Sequence, residues 1–153
     1  MTMNRSLAMV VLFLGLVSVV IGAIFIAQGF AKNDLLVTSM QQEQITLGME
    51  GEDLEAGEVI DSAAEAQLAG DTVREHRHGI APTYGDLLGD GRYNPTDTTQ
   101  LTYAQALNLE NYLYLAVLGF GVTQIALGAG AFMVVTGLAL ICGGLVVYRI
   151  SGS

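Results

Sequence analysis

The sequence predicts an all-α membrane protein. Two spans form an antiparallel helical hairpin, and its helices extend beyond the membrane into a small acidic cap of helix and loop. Three observations carry this. Just over half of the 153 residues are hydrophobic and only 14% are charged. All fifteen acidic residues lie between Asp34 and Glu110, so with Lys32, Arg74, Arg77 and Arg92 the middle carries a net charge of -11. Small residues recur every seven positions in both apolar ends. A soluble globular domain does not look like this, and a nucleic-acid binder would need a basic face.

Residues 1–6 form a short N-terminus that includes Arg5, and residues 7–28 form the first span. Leu7 to Ala27 carries no charge, and 21 residues at ~1.5 Å per residue cross a ~30 Å hydrocarbon core. The second apolar run, Tyr112 to Tyr148, is 37 residues long. It divides into an interfacial helix at 112–124 and a second span at 125–148, followed by a C-terminus at 149–153. Arg5 and Arg149 flank the two outer ends, and positive charge near a span favours the cytoplasmic side. Both termini inside require an even number of spans. Three spans would put Arg149 outside. A cleaved signal peptide, cut near Gly29-Phe30-Ala31, is the other competitor, although the apolar stretch exceeds the ~7–15 residues usual for such segments.

The ladders are Ala8, Gly15, Gly22 and Gly29 in the first span, and Thr123, Gly130, Gly137 and Gly144 in the second. A seven-residue repeat keeps one stripe of a helix against a neighbour, and close packing of small residues drives association in lipid. Joined antiparallel, Ala8 meets Gly144, Gly15 meets Gly137, Gly22 meets Gly130, and Gly29 meets Thr123. Each pair of numbers sums to 152, as do the intramembrane amides Gln28 and Gln124, which places these two at similar depth. Val19 is expected on the outer face. A second stripe, Gly121 and Gly128 continued by Val135 and Cys142, lies roughly 200° around the helix from the first; it suits a loose face toward lipid or, the favoured reading, another protein's helix.

Residues 29–111 form the acidic extracytoplasmic region. The first helix continues to about Ile45, with Leu35, Leu36 and Met40 available for packing. Gly48, Gly51 and Gly57 among acids read as a loop. A helix is expected over Glu58–His78, with an apolar stripe at Ile60, Ala64 and Leu68, early acids and late bases that suit its dipole, a stop at Gly79, and Pro82 forbidding continuation. A turn-rich segment follows. Asp97 and Gln100 then cap a last helix from about Thr98 to Tyr148, with Gly119-Phe120-Gly121 as a point where it can bend. The apolar stretch at 112–122 would need covering by protein.

Chemistry is sparse. His76 and His78 stand two apart on a helix and do not face each other, so no metal is expected there. Asp86, Asp90, Asn94 and Asp97 miss the EF-hand spacing and read as turn formers. Cys142 stands alone within the second span. No nucleophile elbow or phosphate loop is present, and neither span contains an ionisable pathway residue. No cofactor and no enzymatic activity are expected.

LVTSMQQEQITLG, HRHGIAPTYGDLL and the long apolar C-terminal helix resemble a largely uncharacterised group of small two-span bacterial membrane proteins, often labelled aromatic ring-opening dioxygenase. The resemblance implies the two-span fold and a bacterial membrane, and it brings no site residues. The label lacks residue support, since ring cleavage needs an iron centre, commonly of two His and a carboxylate. The expected role is an accessory subunit that packs against other integral membrane subunits or itself in the lipid bilayer, with the acidic cap able to attract a basic extracytoplasmic protein. The rival is a ligand-binding or sensor module with a pocket around His76, Tyr84 and Tyr93.

Overall fold

The computed structural model describes residues 2–45, 57 and 59–151. Four helices follow in order: α1 (Thr2–Gln42), α2 (Ala63–Ile80), α3 (Tyr84–Leu88) and α4 (Thr98–Ile150). No β-strand occurs among the described residues. α1 and α4 are each long and apolar enough to cross a membrane. Only 11% of the most apolar stretch of either helix is buried within the chain, which is unlike the core helix of a soluble protein. The chain divides into two compact units: residues 1–33 with 122–153, and residues 34–121.

The first unit is the antiparallel pairing of α1 with α4. Its buried residues, among those described, are Ala8, Gly15, Gly22 and Gly29 on α1 and Thr123, Gly130, Gly137 and Gly144 on α4. A Cβ placed on Gly15 would lie 2.8 Å from the Gly137 carbonyl oxygen, and one on Gly137 would lie 2.6 Å from that of Gly15. Gly29 faces Leu127 and the Thr123 carbonyl, while Gly144 faces Leu12 and the Ala8 carbonyl. Only glycine allows backbones this close, and its Cα–H then points at a carbonyl, a contact worth about 0.5–1 kcal/mol. Ser18 Oγ adds a hydrogen bond by donating to the Met133 carbonyl at 2.8 Å. At the far end the Arg5 guanidinium sits 5.7 Å from the Tyr148 ring centroid. Val19 does not face outward: its Cγ2 lies 2.7 Å from where a Gly137 Cβ would be. The missing side chain of Gly137 is the hole that Val19 fills.

The second unit packs the outer parts of α1 and α4 with α2 and α3. Its core is Met40, Ile60, Ala66, Leu113, Ala116 and Phe120. α1 ends at Gln42, short of the expected Ile45, because Gln44 turns left-handed at φ 53°. The turn lets Ile45 N–H reach back to the Met40 carbonyl at 2.9 Å and Gln44 N–H to that of Gln41 at 3.1 Å. This pattern closes helix C-termini and brings Ile45 over Met40. The loop expected at Gly48 and Gly51 lies outside the described residues, as does Glu58.

α2 starts at Ala63 rather than near Glu58, because Ser62 caps it. Ser62 Oγ accepts from Glu65 N–H at 3.3 Å, and Glu65 Oε2 accepts from Asp61 N–H at 2.9 Å. The helix passes through Gly79 and stops where Ala81, extended at φ -155° and ψ 142°, precedes Pro82. Proline forces that extended shape on the residue before it, so Pro82 sets the end and Gly79 does not. Of the expected stripe only Ile60, ahead of the helix, is buried. Ala64 and Leu68 are exposed, while Ala66, Gly70 and Arg77 are buried. The small residues let α2 sit close to α4, with a Gly70 Cβ position only 3.2 Å from the Tyr114 ring.

The turn-rich segment holds one short helix that composition did not indicate. Thr83 Oγ1 caps α3 by accepting from Asp86 N–H at 3.1 Å. α4 opens as expected, with Asp97 Oδ1 accepting from Thr99 and Gln100 N–H at 2.9 and 3.1 Å. Gln100 returns its side chain to Asn94 N–H at 2.7 Å rather than to Asp97. α4 is continuous in helical assignment through Gly119-Phe120-Gly121.

Candidate functional site

Among the residues expected to carry function, the eight ladder positions are brought together in four pairs: Ala8 with Gly144, Gly15 with Gly137, Gly22 with Gly130, and Gly29 with Thr123. Gly121 and Gly128 face open space: a Cβ on each would meet nothing within 4 Å. Val135 and Cys142, which continue the row after Gly128, are exposed. Gln28 and Gln124 are both exposed on the first unit.

The segment 112–122 is covered on one side only. Leu113, Ala116 and Phe120 enter the core of the second unit, while Tyr112, Leu115 and Leu118 are 59%, 64% and 65% exposed. Leu35 and Ser39 of α1 join Tyr112 and Leu115 around an open recess of about 390 Å³. The three-residue spacing of Tyr112, Leu115 and Leu118 follows from α4 periodicity, and it gives the second unit a continuous uncovered apolar edge.

The polar centre of the second unit is not legible in the sequence. Arg77 is buried at 7% exposure and Glu110 at 6%, where the sequence marks Arg77 only as one of the late bases of its helix. Arg77 Nε donates to Glu110 Oε2 at 2.6 Å and Nη2 to Oε1 at 3.3 Å, a bidentate pair. Nη1 donates to the Tyr103 hydroxyl, and the guanidinium lies 4.9 Å from that ring's centroid. These contacts, the Glu110 hydrogen bond above all, raise the Arg77 pKa further. One signal pointed here: Glu110 is the only charge between Asp97 and Arg149 in the last helix. A second polar group lies nearby. Asp71 Oδ1 accepts from the Tyr114 hydroxyl at 2.6 Å and from Arg74 Nη2 at 2.8 Å.

Tyr84 and Tyr93 line a shallow recess of about 390 Å³ with Ala104, Leu107, Asn108 and Asn111. Tyr84 also stacks at a tilt on Tyr103, 6.2 Å between centroids. His76 does not line this recess and is exposed on α2; its helical phase points it elsewhere. His78 Nε2 lies 3.2 Å from Arg77 Nη2.

The oxygens of the turn segment serve local structure. Asp86 accepts from Thr83, Asn94 Oδ1 from Thr96, and Asp97 caps α4. Among the described residues no three His, Cys, Asp or Glu side chains converge as metal ligands. In the first unit, Ile24, Phe25, Gln28 and Lys32 of α1 face Val122 and Ala126 of α4 across a groove of about 290 Å³. Comparison with family models, with curated proteins and with solved structures finds no match.

Proposed function

We propose that this chain is a non-catalytic accessory subunit of a larger membrane assembly, placed in a bacterial cell membrane with both termini cytoplasmic and the acidic region outside. The uncovered edge formed by Tyr112, Leu115 and Leu118 carries this reading. These residues lie beyond the span assigned to 125–148, where lipid does not cover them, and large apolar patches on soluble surfaces mark contact sites. Covering a few hundred Å² at ~25 cal/mol per Å² contributes several kcal/mol to association, less the cost of ordering the partners. The open backbone at Gly128 supports close approach by a further helix within the membrane.

The positions of Arg5 and Arg149 support the orientation. The pairing of α1 with α4 through eight small residues supports retention of the first span, since cleavage would strip α4 of its packing partner. The resemblance to two-span bacterial membrane proteins points the same way. A middle carrying -11 would steer a basic extracytoplasmic partner by long-range attraction.

The recess beside Tyr84 and Tyr93, with the amides of Asn108 and Asn111 at its wall, favours a second reading, an extracytoplasmic ligand-binding or sensor module. Purification in mild detergent followed by mass measurement separates the two. Co-purifying membrane subunits in fixed ratio are expected. A lone monomer or homodimer that binds a small molecule would favour the second reading and overturn the first.

A further inference from the structure

We propose that the groove between α1 and α4 in the first unit holds an acyl chain of an anionic phospholipid, with the lipid phosphate on Lys32. This rests on the membrane reading of the two long helices and goes beyond the accessory role. Ile24, Phe25, Val122 and Ala126 give the groove apolar walls, and Gln28 and Lys32 stand at one end. From Ile24 to Lys32 the helix rises ~12 Å at ~1.5 Å per residue. The groove therefore runs from apolar to cationic along the membrane normal, the polarity order of a phospholipid. Lys32 lies one turn past Gln28, so its ammonium reaches the headgroup level at the end of a flexible stem.

The charge pattern selects an anionic headgroup. Lys32 is the only basic residue between Arg5 and Arg74 and is exposed. Asp34, the next charged residue, stands two positions on and roughly 200° around the helix, away from the groove. Size selects a chain over a helix. The volume of about 290 Å³ sits at the lower edge of the ~300–1,000 Å³ range of small-molecule pockets, whereas a packed helix is ~10–12 Å across.

The test is reconstitution of the full chain in bilayers of equal phosphatidylglycerol and phosphatidylcholine, mild extraction, and counting of retained lipids by native mass spectrometry. One lysine near the surface predicts a preference of about fivefold for phosphatidylglycerol. Lys32→Gln brings it to parity, Lys32→Arg keeps it, and Ala126→Phe fills the groove and lowers retention of both lipids while helix content stays the same. Parity in the unaltered chain, a preference that survives Lys32→Gln, or unchanged retention in Ala126→Phe overturns the lipid site alone. A chain that fails to enter bilayers overturns the membrane reading together with it.

Discussion

Gly22 and Gly130 bring two helix backbones into direct contact: a Cβ on either would lie 2.7 Å from the carbonyl oxygen of the other. The relationship is reciprocal, as an antiparallel pair requires, and it repeats one heptad away at Gly15 and Gly137. Helices in lipid gain little from hydrophobic exclusion, so this close packing and the Ser18–Met133 hydrogen bond hold the hairpin together.

Gly22→Leu or Gly130→Leu should separate the helices. The neighbour met is a backbone carbonyl, which cannot move aside as a flexible side chain would. A cost of about 1–3 kcal/mol or more is expected, read as a lower midpoint in denaturant titration of the protein in micelles. Val20→Leu, on an exposed position, should leave the midpoint in place. Val19 would not serve as that control, because it packs against Gly137.

Arg77→Ala should be among the most damaging changes in the second unit. Both side chains of the Arg77–Glu110 pair are 8% exposed, and removing one partner strands a buried charge at a cost of about 3–5 kcal/mol. Thermal unfolding followed by circular dichroism would show a large drop in midpoint. Arg77→Met combined with Glu110→Leu should cost much less than either single truncation to alanine, since no unpaired charge remains.

Alkaline pH should weaken the second unit through Tyr114. Burial, then the hydrogen bond to Asp71, raises its phenol above the ordinary value of ~10. The phenolate is the charged form, so a raised folded-state pKa means stability present below ~10 and lost as pH rises through the folded value. Phenolate absorbance during titration should include a late step that belongs to Tyr114. Tyr114→Phe should remove that step and flatten the alkaline fall in stability.

The ladder was legible in the sequence because a period of seven selects one helix face whatever the partner, and glycine marks where backbones can touch. The start of α4 was legible because Asp97 is a local device, needing only the next three residues. The Arg77–Glu110 pair was not, since 33 residues separate its members and nothing local distinguishes a buried arginine from a solvated one. Likewise α2 buries Ala66 and Gly70 rather than Leu68, because close approach to Tyr114 favours small residues over apolar ones. The uncovered edge at Leu115 and Leu118 emerges only once α2 is seen to cover a single face of α4.

Orientation is open to chemical labelling. With both termini cytoplasmic, Ser39→Cys should react with an impermeant thiol reagent from outside intact cells, and Ser153→Cys should not, each in a Cys142→Ser background. Labelling at the Ser153 position alone would reverse the assigned topology.

The most direct test of the hairpin is crosslinking between its two spans. Ser18 contacts the Met133 carbonyl, so in membranes of a Cys142→Ser protein, Ser18→Cys should form an intramolecular disulfide with Met133→Cys under mild oxidation. Ala126→Cys and Leu140→Cys, one heptad to either side, should not compete. Equal or stronger crosslinking of Ser18→Cys to either of those positions would contradict the register and the close-packed hairpin built on it.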